Sequence, residues 1–164
     1  MGDPSYFSPS KSRSVGKVVR SICILDHPIA GTDGVESVQI IIPAAQVGRK
    51  NDIYVCMVSS AHAVSAPGMY IAICSTTVET TNPVGELKAG FELLGKILER
   101  FDNVSELLVP VGDGVTDKCF MSQAYDASSH FETMAEDVLA LYKRITGEDL
   151  DMSISADMNA DDDC

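Results

Sequence analysis

The side chains that could do acid–base chemistry in this sequence are few and far apart. Asp126 and His130 follow Tyr125 at a spacing that could pass for an acid–base pair. Asp126, however, precedes a predicted helix start, so the two side chains need not share a helix face. We therefore favour a strand-to-helix turn with capping polar groups here. We interpret His27, which precedes Pro28 at a predicted strand end, as an edge histidine rather than a catalytic base, because spacing fixes no partner carboxylate for it.

The cysteines show no spacing that is typical of a metal or redox site. None belongs to a C-x-x-C pair, and Cys23, Cys56 and Cys74 lie within apolar segments, where cysteine behaves as a small hydrophobic residue. We favour reduced core thiols over metal ligands or a disulfide framework. Cys164 is the last residue and does not form a C-a-a-X prenylation box, so we interpret it as a free, solvated thiol.

Motifs for nucleotide and hydrolytic chemistry are missing from the sequence. It contains neither G-x-G-x-x-G nor G-x-x-x-x-G-K-[ST], which would indicate dinucleotide or nucleoside-triphosphate binding. It also lacks G-x-S-x-G, H-E-x-x-H and a cluster of metal-ligating residues. The residues alone therefore predict an α+β domain with no visible active site, and we assign no catalytic residue, no cofactor and no metal.

Length and charge narrow the class of protein further. A chain of 164 residues predicts one domain, and its net charge of −12 comes largely from residues 148–164, which hold seven acidic and no basic residues. The remaining chain has a net charge of −5, which argues against nonspecific nucleic-acid binding. No apolar segment resembles a secretory signal, and polar residues and a Pro–Gly turn interrupt the uncharged segment 53–78. These features predict a cytoplasmic protein without stable membrane insertion.

Short runs of β-branched and aromatic residues predict the sheet that must position any site. They predict strands over residues 18–25, 38–42, 53–59 and 69–78, with a hairpin between the first two and an antiparallel meander overall. The runs are apolar nearly throughout, so we expect both faces of the sheet to be mostly covered. A second strand pair is predicted over residues 107–111 and 118–124, around a Gly-Asp-Gly turn.

Two amphipathic helices complete the prediction. Asn82 and Pro83 are typical of a helix start, and an apolar stripe follows at Leu87, Phe91, Leu94, Leu98 and Phe101. The second helix begins with a capping box formed by Ser129 and Glu132, and Gly147 closes it. Its apolar stripe consists of Phe131, Met134, Val138, Leu141 and Ile145.

Several segments, in order along the chain, resemble the C-terminal part of Rab GDP dissociation inhibitors. They are residues 21–25 (SICIL), 39–43 (QIIIP), 52–57 (DIYVCM), 70–73 (YIAI), 75–80 (STTVET), 125–127 (YDA), 130–133 (HFET) and 142–144 (YKR). The resemblance runs from about Asp3 to Leu150. The Rab escort proteins share the fold and are near relatives.

The resemblance implies a regulator of small GTPases rather than an enzyme. Proteins of this family are much longer, and they pair a large domain resembling flavin-dependent monooxygenases with a smaller helical domain. They bind GDP-bound, prenylated Rab GTPases, slow GDP release and recycle the Rab proteins from membranes in vesicle traffic. No family motif for Rab contact maps onto this sequence, so the Rab-binding residues are unknown, and the chain is expected to be a fragment that supplies scaffold.

The residues predict the two ends of the chain, and the resemblance implies the division between them. We expect a flexible arm (1–14), a mixed-sheet subdomain with one helix (15–111), a closing strand and C-terminal helix of the dinucleotide-fold half (112–150) and an acidic, disordered tail (151–164). Two alternatives stay open. The chain could be a segment of a flavin-dependent oxidase of the same superfold, or a freestanding module that binds a partner through its acidic tail.

Overall fold

Five antiparallel strands and two α-helices form the described part of the chain. A computed structural model describes residues 1–123 and 131–153. The elements are β1 (Ser12–Leu25), β2 (Ser37–Ile42), β3 (Ile53–Ser59), β4 (Tyr70–Thr77), α1 (Lys88–Leu94), β5 (Glu99–Pro110) and α2 (Phe131–Thr146). The predicted α+β class is confirmed, and each pairing of neighbouring strands in the sheet is antiparallel.

The strand order is β2-β3-β4-β1-β5. The predicted meander is confirmed for β2, β3 and β4, which pair in sequence order. The predicted hairpin between β1 and β2 is wrong, because β1 lies between β4 and β5. A hairpin loop has about two to five residues, and the connection over residues 26–36 is longer than that. This length allows the chain to cross the sheet. β2, which has no fully buried residue, takes an edge position.

The inner face of the sheet carries the hydrophobic core. Its fully buried residues are Val19, Cys23, Leu25, Ile53, Val55, Met57, Ala72 and Cys74. The 3-10 turn Val84–Leu87 and α1 cover this face and bury Leu87 and Leu94 against it. A Cβ at Gly90 would lie 3.0 Å from the sulfur of Cys74, so the glycine lets α1 approach the sheet closely.

The opposite face, which we call the outer face, consists of the alternate residues of the same strands. One row runs in register across all five strands through Gln39, Cys56, Ile73, Ile22 and Phe101. The exposed fractions are 40% for Ile22 and 59% for Phe101. The prediction that both faces are mostly covered is therefore wrong for the part of the outer face around Ile22 and Phe101, although Val18 on the same face is only 1% exposed. An apolar run shows that both faces of a strand are apolar. It does not show that residues of this same chain pack against both faces.

The first helix is much shorter than the apolar stripe predicted. Asn82 accepts a hydrogen bond from the amide of Gly85 (3.3 Å), as expected for a residue that starts a helix. α1 then ends at Leu94, because Gly95 adopts a left-handed φ of +75°. The chain turns there and enters β5, so Phe101, predicted to be helical, lies in a strand beside Ile22. Pairing with β1 stabilises residues 99–110 as a strand, and this overrides the helical spacing of the apolar residues.

The strand predicted over residues 118–124 is absent from its described part, 118–123. Met121 makes only an isolated parallel bridge with Gly2. Asp113 and Asp117 instead accept hydrogen bonds from the amides two residues ahead, at 2.9 and 3.0 Å, which builds turns. The strand predicted over residues 107–111 is real but begins earlier, at Glu99.

The described residues near the two ends of the chain allow only some of the predictions for the arm, the second helix and the tail to be tested. Two 3-10 helices, Pro4–Tyr6 and Pro9–Lys11, and the start of β1 occupy the segment predicted as an arm. α2 ends at Thr146, and Gly147, which has a φ of +86°, closes it as predicted. The capping box at Ser129 and most of the acidic tail lie outside the described residues. The predicted division into segments 1–14, 15–111, 112–150 and 151–164 stays a prediction.

Neither of the two described α-helices is both long enough and apolar enough to cross a bilayer.

Candidate interaction surface

His27, the one described histidine at a predicted strand end, holds two parts of the backbone together. Its Nδ1 lies 2.9 Å from the carbonyl oxygen of Pro28, and its Nε2 lies 3.1 Å from that of Lys96. The ring thus connects the end of β1 to the turn between α1 and β5. Both ring nitrogens face backbone carbonyl groups, which fits an edge histidine better than a catalytic base. The second candidate pair, Asp126 and His130, lies outside the described residues.

The four described cysteines have different surroundings. Cys23 and Cys74 are fully buried, and burial raises the pKa of the first to about 11 and of the second to about 12. Cys56 lies on the outer face and is exposed, which corrects the expectation that it is a core thiol. Cys119 is half-buried, and all four are free thiols. Within residues 1–123 and 131–153, no group of three His, Cys, Asp or Glu side chains could hold a metal ion.

A largely buried ion cluster fixes the connection between β2 and β3. The guanidinium of Arg49 lies 2.7 Å from the carboxylate of Glu86 and 3.4 Å from that of Glu79, and it donates a hydrogen bond to the carbonyl of Thr77 (2.9 Å). Only 10% of the Arg49 side chain and 4% of the Glu86 side chain are exposed. The cluster joins the β2–β3 loop, the end of β4 and the 3-10 turn before α1. Sequence reasoning missed it, because residues 46–51 read only as a polar connection.

Hydrogen bonds keep both carboxylates of this cluster charged. Burial acts to raise the pKa of Glu86, but hydrogen bonds from Thr80, Arg49 and two backbone amides outweigh it, and the net pKa lies below the ordinary value. The pKa of Glu79 is also lowered, first by its hydrogen bond from the Asn51 side chain. We interpret the cluster as a structural anchor, because its polar groups satisfy one another.

The outer face of the sheet carries exposed apolar side chains on both edge strands and on β1. Ile41 is 42% exposed and stands on the same face, beside the row that contains Ile22 and Phe101. Polar and apolar side chains alternate along this surface, since Gln39 and Arg20 also point to it. Apolar groups at this exposure on a sheet are typical of a face that another part of a protein covers.

A second apolar surface lies between α2 and the first residues of the chain. Asp137 and Leu141 of α2 are buried against the body, and Asp137 accepts a hydrogen bond from the amide of Gln123 (2.9 Å). The neighbouring helix positions Val138 and Ile145 stay 55% and 46% exposed. They line a groove of about 440 Å³ together with Met1, Gly2, Asp3, Ser122, Leu141 and Tyr142.

The described charged groups are best compared with the arrangement that a hydrolytic site needs. Within the described residues, the charged groups that come together include the Arg49 cluster, Lys11 with Asp117 and Cys119, the pair of Arg144 with the buried Asp137, and several ion pairs at the surface. None of these arrangements combines a nucleophile, a general base and an orienting group in the manner of a hydrolytic site. What the structure offers instead is a broad apolar sheet face and an apolar groove along a helix.

Comparison with known proteins points to one family. The sequence model described as "GDP dissociation inhibitor" matches residues 1–157. The chain is 55% identical over 150 residues to the "probable secretory pathway GDP dissociation inhibitor 1" of Schizosaccharomyces pombe, 51% identical over 151 residues to the Rab GDP-dissociation inhibitor of Saccharomyces cerevisiae, and 52% identical over 149 residues to the dog Rab GDP dissociation inhibitor beta.

The relatives are about three times longer than the region they share with this chain. The matches cover 91–92% of this chain but only 33–34% of those relatives. Among solved structures, the crystal structure of a Rab GDI from Plasmodium falciparum matches with a TM-score of 0.85 and 45% identity, over 91% of this chain and 34% of that one. None of these proteins is named as an oxidase.

Proposed function

Because this chain belongs to the GDP dissociation inhibitor family, we propose that it forms the C-terminal part of a Rab GDP dissociation inhibitor. The full-length protein binds GDP-bound, prenylated Rab GTPases, slows the release of GDP and recycles these GTPases from membranes during vesicle traffic. Its role is regulatory rather than enzymatic, and it acts in the cytoplasm.

One observation carries the proposal. The family match extends over residues 1–157, nearly the whole chain, at 51–55% identity to three of the similar proteins. Identity at this level, spread over the entire sheet and both helices, is far more specific than any short motif. The names of these relatives describe inhibitors of GDP dissociation.

Within such a protein, the role of this segment is to provide scaffold. The outer face has exposed apolar residues such as Phe101 on the edge strand β5 and Ile22 on the neighbouring strand β1. The chain spans about a third of its relatives, so the remaining two-thirds of a full-length protein are long enough to cover this face. We propose that residues elsewhere in the full-length protein contact the Rab GTPase, and that this segment supports them.

Measuring GDP release tests both levels of the proposal. Prenylated and unprenylated Rab loaded with a fluorescent GDP are each mixed with the 164-residue chain and, in parallel, with a full-length protein that contains it. Circular dichroism verifies that the shorter chain is folded. We expect the full-length protein to slow GDP release from prenylated Rab and the folded 164-residue chain to have no effect.

The two outcomes that contradict the proposal are distinct. Slowed GDP release with the 164-residue chain alone would show that Rab-contacting residues lie in this segment and would overturn the scaffold role. Unchanged GDP release with the full-length protein would overturn the inhibitor function itself. A full-length protein that purifies with a flavin absorbance spectrum would favour the oxidase alternative.

A further inference from the structure

We propose that the end of this chain folds back and covers the apolar groove along α2, with Ile154 and Met158 as the side chains that enter it. This inference goes beyond the proposed function and does not depend on Rab binding. It rests on the lining of the groove, on the direction of the chain where it leaves α2, and on the pattern of residues in the segment 154–160.

The groove is open and apolar. It measures about 440 Å³. Pockets that bind small molecules measure about 300–1,000 Å³, so the groove has room for two apolar side chains of medium size. Val138 and Ile145, about two turns apart on α2, line it and stay exposed, whereas Leu141 between them is buried. Exposed apolar side chains gathered on one helix face are typical of a surface that another segment covers.

The chain turns back along α2 as soon as the helix ends. Gly147 has a φ of +86°, and the carboxylate of Asp149 lies 2.8 Å from the ammonium group of Lys143. Lys143 belongs to the last turn of α2 and follows Tyr142, which lines the groove. Five residues further along an extended chain, Ile154 lies within about 18 Å of Asp149. Ile154 is therefore within reach of the end of the groove that Ile145 lines.

The segment 154–160 alternates apolar and polar residues. Its sequence is ISADMNA, so Ile154, Ala156, Met158 and Ala160 share one side of an extended chain, and Ser155, Asp157 and Asn159 share the other. Such a segment can bury its apolar side and leave Asp157 in water. Asp161, Asp162 and Asp163 follow the alternating part and need not enter the groove. This gives an ordered place to part of the tail that composition predicts as disordered.

The spacing of the two large apolar side chains matches the groove. Ile154 and Met158 are about 13 Å apart in an extended segment. α2 rises about 10 Å between Val138 and Ile145. Ile154 thus fits beside Ile145, and Met158 fits beside Val138, in a segment that runs antiparallel to α2. While the segment lies there, no other apolar segment can bind in the groove.

Tryptophan fluorescence tests the proposal, because the chain contains no tryptophan. Met158→Trp places one indole on the apolar side of the segment, and Asn159→Trp places one on the polar side. In the folded 164-residue chain, we expect acrylamide to quench the Met158→Trp variant about fivefold less than the Asn159→Trp variant. The emission of Met158→Trp should also lie at a shorter wavelength, and the two variants should behave alike in urea. Equal quenching in the folded chain would overturn the proposal.

Two substitutions on α2 show whether the groove is the docking site. Val138→Ser removes an exposed apolar side chain that lines the groove, and Leu139→Ser removes one that is exposed but does not line it. In the Met158→Trp chain, we expect Val138→Ser to increase quenching about threefold and Leu139→Ser to leave it unchanged. Circular dichroism verifies that both variants are folded. Equal quenching in the two variants would place the segment elsewhere and overturn the proposal.

Protein concentration distinguishes the chain's own tail from that of a second copy. We expect the protection of the Met158→Trp indole to be independent of concentration. Protection that grows with concentration would show that the tail of a second copy fills the groove, and would overturn the proposal. In a full-length protein that contains this chain, a fully quenched indole would show that other residues cover the groove, and would overturn the proposal for that protein.

Hydrogen exchange provides a readout that needs no introduced tryptophan. Deletion of residues 154–164 is expected to speed the exchange of the amides of α2 about fivefold, because the helix loses its cover. Deletion of residues 161–164 is the matched control and should have no effect, since it leaves the alternating part in place. Unchanged exchange after the longer deletion would overturn the proposal.

Discussion

At the scale of single residues, the structure predicts a large contribution of Arg49 to stability. It is 2.7 Å from Glu86, and both side chains are mostly buried. Arg49→Met leaves the Glu86 carboxylate buried with fewer partners, and we expect the free energy of unfolding in urea to fall by about 3 kcal/mol. The control is Lys88→Met. Lys88 is 3.7 Å from Glu92 at the surface, and its loss is expected to change stability by less than about 0.5 kcal/mol. Similar losses for the two variants would contradict a special role of the buried cluster.

The same cluster predicts how stability depends on pH. The pKa of Glu86 is lower in the folded chain than its ordinary value of 4.5, so the folded state binds fewer protons than the unfolded state. Its contribution is complete above about pH 4.5 and is lost as the pH falls through the folded pKa. Chemical denaturation between pH 3 and pH 7 measures this, and Glu86→Gln should flatten the acid side of the curve. An identical pH profile for Glu86→Gln would show that other carboxylates, such as Glu79 or Asp117, account for the acid loss.

The sequence shows why this cluster is hard to predict. The cluster joins residues that are separated in the chain, namely Arg49, Glu79 and Glu86. The short segments around them show no periodic spacing of apolar residues that would indicate the contact. Their contacts arise only when the β2–β3 loop folds over the end of β4. By contrast, the sequence predicts that Cys23 and Cys74 lie in apolar strands, as they do, but it does not predict which face each cysteine takes, since Cys56 lies in a similar run and is exposed.

At the scale of elements, the loop that follows β5 depends on a glycine. Gly114 and Gly68 both have left-handed φ angles, +84° and +76°, but only Gly114 has backbone atoms where a Cβ would stand. Gly68→Ala is therefore expected to cost about 1 kcal/mol from backbone strain. Gly114→Ala adds a clash 2.5 Å from the Cys119 carbonyl oxygen and should cost about 3 kcal/mol or more. Urea denaturation of the two variants compares them directly, and equal losses would contradict the tight packing of this loop.

Element bounds are predictable where local and distant interactions agree. β3 begins at Ile53 and ends at Ser59, as the sequence predicts, because polar turn residues bound an apolar run that also lies in the centre of the sheet. The region after Pro83 fails this condition. Its apolar spacing is helical up to Phe101, but Gly95 ends the helix and β1 pairs with the residues that follow. Long-range strand pairing of this kind cannot be predicted from a short segment of sequence.

At the scale of the whole molecule, the outer face predicts association of the 164-residue chain. Phe101 is 59% exposed beside Ile22, so sedimentation velocity should show weight-average mass increasing with protein concentration. Phe101→Gln should weaken this association about tenfold. Val111→Gln, at a residue 61% exposed but beyond the end of β5, should leave it unchanged. A chain that stays monomeric at high concentration, or that responds equally to both substitutions, would contradict the assignment of the outer face as a docking surface.

The order of the strands has a consequence for how the chain is made. β1 leaves the ribosome first, yet its neighbours β4 and β5 follow about 45 and 75 residues later. Until then β1 has no strand to pair with, and its apolar residues stay exposed to solvent. By contrast, β2, β3 and β4 can form a three-stranded antiparallel sheet as soon as they emerge. During synthesis, the strand whose pairing is delayed is therefore β1, an interior strand of the sheet, rather than an edge strand. A nascent chain that stalls before Glu99 would leave one side of β1 unpaired, which is a state that chaperones and proteases recognise.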